Sequence, residues 1–188
     1  MGAPVRNPEP MRVEEFFAFT DTRPDDEKWE LIDGEAILHA TPNSVHQTIV
    51  ANVVGWLYTV RRDRQPTWTA IPGIGVRVSA TSLPEPDILI RPKTHLVGRE
   101  CDDVIAAIEV LSESTADRDL RWKRKAYARV PSLMYYIVIA QDAVEVVMYE
   151  RMTGFAERRL ESLAATLDLP SLGISLPLAE IYRDTDLS

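Results

Sequence analysis

VIAAIEVLSESTADRDLRWKRKAYARV, residues 104–130, carries a strand, a turn and a helix in one unbroken run. Val104 to Leu111 is the strongest candidate for a central strand, being the longest apolar stretch of the chain, broken only by Glu109. Ala116 to Val130 reads as a helix, and Pro131 stops it because a residue before proline is pushed out of the helical region. Ser114 or Thr115 can cap that helix, and the same N-terminus could hold a phosphate oxygen.

Working outward, the segments on either side are equally patterned. Met134 to Ile139 and Val144 to Tyr149 are rich in strand formers around Gln141-Asp142, and Phe155 to Arg159 adds an edge strand. The tail has an apolar-patterned stretch at Leu167–Leu178 and a helical turn near Ile181. Upstream, Pro86-Asp87 leads into the short apolar run Ile88-Leu89-Ile90, and Trp68 to Val78 is extended chain broken at Pro72-Gly73 and Gly75. Ile49, Val53, Trp56, Leu57 and Val60 give a long helix from about Ser44 to Arg61, which Asn43 or Ser44 can cap. Its end, Arg61 to Arg64, is a solvated turn whose cations suit a helix C-terminus. Asp33-Gly34 between Trp29–Ile32 and Glu35–Leu38 is the clearest hairpin signal, and Val13 to Phe19 forms a short first helix. Strands bracketing two long helices predict an α/β fold, a central mixed sheet flanked by helices, in one domain over residues 1–188. Residues 1–10 form a loose arm, and 91–103 is the one inner stretch whose composition allows flexibility.

Composition narrows the function classes. Hydrophobic residues at 45% and charged residues at 27% are ordinary globular usage for a chain of 188 residues. No apolar run reaches the ~20 residues that cross a bilayer, and the N-terminus has no secretory pattern. The one cysteine, Cys101, excludes an internal disulfide and fits a reducing, cytoplasmic setting. The net charge of −8 opposes non-specific binding to nucleic acid, although a metal ion and a local basic patch can overcome it.

Glu109 is the residue that needs a reason, since a buried, unpaired carboxylate is costly. Strand alternation places it with Ala107 and Leu111, opposite Ile108 and Val110. It is either a strand-end glutamate that reaches water or an arginine, or part of a site. The following helix bears on that choice. Leu120, Lys123, Tyr127 and Val130 share one stripe, with Asp119 at its border, so Asp119, Lys123 and Tyr127 can converge. A lysine there can also simply snorkel along the core edge. Asp87 opens the neighbouring strand, and the acidic pair is expected at the edge of the sheet. Two carboxylates ~4 Å apart repel by roughly 4 kcal/mol at an effective dielectric near 20, and so call for a cation or a proton. Mg²⁺ or Mn²⁺ held by Asp87 and Glu109 meets that need with hard oxygen ligands, with Lys123 stabilising charge or positioning water. His39, His46 and His95 lack metal-ligand spacing, which makes zinc the weaker choice. His46 falls beside Ile49, Val50 and Val53 on its helix, either packed or facing the site as a base or phosphate ligand.

WELIDGEAI at 29–37, P-x-x-x-H at 42–46, PDILI at 86–90, EVLSEST at 109–115 and D-x-x-x-K-x-x-x-Y at 119–127 together resemble the Uma2-like (formerly DUF820) restriction-endonuclease family, of the PD-(D/E)XK nuclease superfamily. The resemblance implies a restriction-endonuclease-like fold, with Asp87 and Glu109 as the superfamily's two acids. Its usual lysine position is Leu111 here, and Lys123 from the next helix stands in for it. By the same resemblance Asp119 and Tyr127 are supporting residues, while Glu30 and His46 complete the pattern. Glu113 replaces a typical proline, and Ile139-Ala140-Gln141 stands where the family has Asp-Pro. The expected activity is metal-dependent hydrolysis of DNA phosphodiester bonds. Its rivals are a non-catalytic interaction or regulatory protein on this scaffold and a hydrolase of a small phosphorylated molecule. A homodimer is expected by fold-level analogy, with Tyr135–Tyr149 as an exposed pairing segment.

Overall fold

The structure, a computed structural model, describes residues 9–93, 98–111 and 116–188, with the backbone alone for 116–119. In chain order the elements are α1 (Val13–Thr20), β1 (Trp29–Ile32), β2 (Glu35–Leu38), α2 (Ser44–Arg64), β3 (Trp68–Pro72), β4 (Gly75–Val76), β5 (Ile88–Pro92) and β6 (Glu100–Cys101). There follow β7 (Ala106–Leu111), α3 (Ala116–Ala128), β8 (Tyr135–Ala140), β9 (Val146–Glu150), β10 (Ala156–Leu160), β11 (Thr166–Leu169), β12 (Ile174–Pro177) and α4 (Leu178–Ile181). Among the described residues the largest sheet has six strands in the order β10-β9-β8-β7-β5-β3. β7 and β8 run parallel and the other pairs antiparallel, so the sheet is mixed. The parallel pair follows from α3, since parallel neighbours need a long crossover between them.

Period-two alternation gives each face of this sheet its own core. On one face Ile88, Ile90, Ile108 and Val110 pack with Ile49, Val53 and Leu57 of α2 and with Leu167, Leu176 and Ile181 of the tail. On the other, Leu89, Ala107, Tyr136 and Val138 pack with Tyr127 and Val130 under α3. Each Ile, Leu or Val among them that is fully buried contributes about 1.5–3 kcal/mol. A third, smaller core of Met11, Val13, Phe16, Leu31, Ala36 and Leu83 joins α1 to the β1–β2 hairpin. Leu31 points into it, so Glu30, its neighbour on β1, points the other way.

The hairpin turn forms as Asp33-Gly34 predicts, with φ of 49° and 83° at the two residues. Gly34 is fixed from both sides: its N–H donates to Thr81 O at 2.8 Å and its carbonyl accepts from Met11 N at 3.1 Å. A Cβ here would lie 2.5 Å from Pro10 Cβ and 2.7 Å from Pro10 Cα. Gly34→Ala is therefore expected to cost at least about 1–3 kcal/mol in urea unfolding, through strain and clash together. An unchanged midpoint would contradict this packing.

Several expectations need correction. Asp87 and Glu109 are not at an edge of the sheet: β5 lies between β3 and β7, and β7 between β5 and β8. The pair instead occupies one end of two inner strands, in a cleft lined by Lys28, Glu30, His46 and Lys123. Tyr135–Tyr149 is not an exposed pairing segment, because β8 and β9 are buried and paired on both sides within the chain. Within 91–103 the described residues include the end of β5 and all of β6, which pairs in parallel with β4, while 94–97 lie outside them. The apolar tail is a hairpin, β11 with β12, that covers the α2 face. Asn43 caps α2 by accepting from His46 N at 2.9 Å. His95, the capping residues 112–115 and the Asp119 side chain lie outside the described residues. Among the described residues no helix is long and apolar enough to cross a membrane.

Candidate active site

Asp87 stands one residue ahead of β5, where Ile88 is opposite Ile108 of β7; one further step along the ladder brings it beside Glu109. The strand pair itself fixes this carboxylate, since Val110 N donates to Asp87 Oδ2 at 2.8 Å. Lys28 Nζ lies 3.2 Å from Oδ1, and His46 Nε2, from the first turn of α2, lies 3.2 Å from Oδ2. The site-facing alternative for His46 thus describes its position, and its Nδ1 is buried without a hydrogen-bond partner.

Glu109 faces α3. Its Oε1 accepts from Lys123 Nζ at 2.9 Å and from the Tyr127 hydroxyl at 3.2 Å, so the stripe read from the helix does converge on the strand carboxylate. Lys123 also donates to Glu30 Oε1 at 3.0 Å, an oxygen that accepts from Glu85 N at 2.9 Å as well. His39 Nε2 is 2.9 Å from Glu30 Oε2, ion-pair distance without hydrogen-bond alignment. Glu30, Glu109 and Lys123 are all essentially buried. The cation that the acidic pair requires is therefore supplied in part by the chain, with Lys28 on Asp87 and Lys123 on Glu109.

The electrostatics follow from burial and from these partners. Burial opposes ionisation of Asp87, but the His46 contact, the Lys28 charge and the Val110 N–H outweigh it and hold its pKa at about 2. Burial raises Glu109 above the carboxylate range; the Glu30 and Asp87 charges push the same way, and Lys123 offsets only part. Glu30 shares the same ammonium yet moves down: burial is overcome by Lys123, His39 and the Glu85 N–H. The two glutamates thus divide one lysine, and Glu109 keeps the greater proton affinity. Burial alone would lower Lys28, but Asp87 and Glu109, followed by Glu30 and Glu85, raise it above the ordinary lysine value.

Asp87, Glu109, Lys123, His46, Glu30, His39 and Lys28 line one cleft of about 420 Å³. Its three carboxylates against two ammonium groups, −3 + 2, leave one formal negative charge with the histidines neutral. A phosphodiester would add another, so a divalent cation suits the donor set. Among the described residues no group of three or more His, Cys, Asp or Glu forms a metal cage. Mg²⁺ needs none, as it usually takes one or two carboxylates and keeps water in its remaining positions. Lys28 and His39 went unread as site residues, and Glu30 entered only through the family pattern. Glu30 carries the same signal as Glu109, a carboxylate inside an apolar strand, and Lys28 two residues earlier points the same way by alternation. His39 carries none.

A model of the Uma2 family, described as "Putative restriction endonuclease", matches residues 13–179. The fold also matches a crystal structure described as a "putative nuclease belonging to DUF820" from Anabaena variabilis ATCC 29413, with a TM-score of 0.75, 16% identity, and 92% of this chain and 98% of that one covered. At that identity the likeness speaks for the fold alone, an α/β architecture around a mixed sheet. No curated protein matches the chain. With the family model spanning α1 to the start of α4 and the same architecture in a solved relative, the chain belongs to the Uma2 family.

Proposed function

We propose that the chain is a divalent-metal-dependent hydrolase of DNA phosphodiester bonds, of endonuclease type. The observation that carries this reading is the gathering of Asp87, Glu109 and Lys123, from two inner strands and the crossover helix, in one cleft. Asp87 and Glu109 would hold Mg²⁺ or Mn²⁺, which when bound polarises the phosphodiester and makes water a better nucleophile. Val110 N–H and His46 orient the Asp87 carboxylate, and Lys123 and Tyr127 orient Glu109. Lys123 and Tyr127 are in this sense positioning residues, as is His46, and Asp119 is assigned the same supporting part. The test is incubation of single- and double-stranded DNA with the protein in Mn²⁺ and in Mg²⁺. Cleavage that EDTA stops and added metal restores is expected; intact DNA of both forms under all conditions would sink the reading.

Three observations favour other functions. Lys123 is satisfied by two buried carboxylates, and the net charge is −8, as suits a non-catalytic interaction protein on this scaffold. Calorimetric titration separates that case, which predicts no Mn²⁺ binding at millimolar concentration. The cleft of about 420 Å³ also falls in the size range of small-molecule sites, as suits a small phosphorylated substrate. Competition by inorganic phosphate without any DNA cleavage would select it. A homodimer would let two sites address two strands, and a monomeric mass in light scattering would remove it.

A further inference from the structure

We propose that Lys28, rather than Lys123, is the cation of this chain that meets the substrate phosphate, an inference that rests on the phosphodiesterase reading above. The two lysines differ in what their ammonium groups are free to do. The Lys123 side chain is 5% exposed, and its Nζ donates to Glu30 Oε1 and Glu109 Oε1, on carboxylates exposed by 1% and 4%. To reach a phosphate it would have to leave two buried anions behind, and an uncompensated buried charge is among the most costly defects a fold can carry. Its place is structural: it ties Glu109 of β7 to Glu30 of β1.

Lys28 has the opposite surroundings. Its side chain is 32% exposed, and the contact to Asp87 Oδ1 is long at 3.2 Å. An ammonium has three donors, so a single long contact leaves capacity for an incoming oxygen. Lys28 also lines both the site cleft of about 420 Å³ and a neighbouring cleft of about 550 Å³, bordered by Trp29, Gly73 and Glu85. Lys28 thus lines both openings, with its ammonium beside a carboxylate that would hold the metal. In the free protein Lys28 serves as the countercharge of Asp87. Were Asp87 to hold a metal, the Lys28 ammonium would be released to donate to a phosphate oxygen, and neither charge would be left without a partner. No bond to Lys28 forms or breaks in this exchange, which makes it a phosphate ligand and charge stabiliser.

The full-length protein with Lys28→Met, Lys28→Arg or no substitution tests this. Binding of a fluorescein-labelled single-stranded oligonucleotide is read by anisotropy in Ca²⁺ over a salt series, Mn²⁺ binding by calorimetry, and cleavage in Mn²⁺. Lys28→Met is expected to weaken oligonucleotide binding about tenfold and to reduce the salt slope by roughly 0.7, one phosphate contact on a single strand. Cleavage falls by about 10²- to 10³-fold. Mn²⁺ affinity stays equal or becomes tighter, because a competitor for Asp87 has gone, and Lys28→Arg restores most of the binding. Wild-type slope and cleavage in Lys28→Met overturn the inference and leave the hydrolase reading in place. Mn²⁺ affinity lost in parallel with DNA affinity also overturns it, since that marks a merely structural role. Should the wild type bind the oligonucleotide without cleaving it, and Lys28→Met lose that binding, Lys28 is kept as a phosphate ligand while the hydrolase reading fails. A wild type that neither binds nor cleaves removes both.

Discussion

Asp87→Asn is expected to lower Mn²⁺-dependent DNA cleavage by on the order of 10³-fold, the loss of several kcal/mol of charge stabilisation at the reacting phosphate. Asparagine keeps an oxygen for the Val110 N–H, now donated at 2.8 Å, so the end of β5 stays attached to β7. What disappears is the negative charge that faces Lys28 and His46 and that would hold the metal. Calorimetry should show Mn²⁺ binding weakened together with cleavage. Full activity in this variant would mean that the chemistry is located elsewhere. The same substitution has an acid-side signature in EDTA. The folded Asp87 titrates at about 2, below its unfolded value, so its stabilising contribution is complete above that unfolded value of about 3.9 and is lost as pH falls toward 2. Over that window the wild type should lose about 2 kcal/mol that Asp87→Asn does not have to lose.

Removing the ammonium of Lys123 should be the most damaging single change to the fold. Lys123→Met leaves Glu30 and Glu109, both buried, without their common cation, and breaking a buried pair from one side costs about 3–5 kcal/mol. For a chain of this size that corresponds to a Tm lower by roughly 6–20 °C in a thermal melt. The penalty belongs to the stranded carboxylates and not to the missing lysine. Lys123→Met combined with Glu30→Gln and Glu109→Gln should therefore recover at least half of the lost stability, a coupling that a non-additive cycle measures directly. A Tm within about 2 °C of wild type for the single variant would show that Lys123 is not the keystone of this cluster. The distinction also bears on activity assays, because a loss of cleavage in Lys123→Met has to be separated from unfolding before it says anything about chemistry.

Much of this architecture could be read along the chain because its signals are local. The Asp33-Gly34 turn, the Asn43 cap, the period of Ile49, Val53 and Leu57, and the apolar run ending at Leu111 each depend on residues within a few positions of one another. The same holds for the strand-to-helix placement of Glu109 against Lys123 and Tyr127, since alternation fixes one face and the helical period fixes the other. Five of the six proposed site residues, Asp87, Glu109, Lys123, His46 and Tyr127, do meet in one polar cluster. Asp119 lies outside the described side chains.

Sequence alone therefore determined which residues are at odds with their surroundings: a glutamate in a core strand, a lysine on an apolar helix stripe, an aspartate at the mouth of a buried run. Tertiary structure decided how they are reconciled. It brought Glu30 and Lys28 across 93 and 59 positions of chain to Lys123 and Asp87, and it placed the acids at the end of inner strands instead of at an edge. The physical reason is that local pattern reports the cost of burying a charge, whereas the partner that offsets this cost is set by how the β1–β2 hairpin packs against the sheet, a long-range contact that no periodicity encodes.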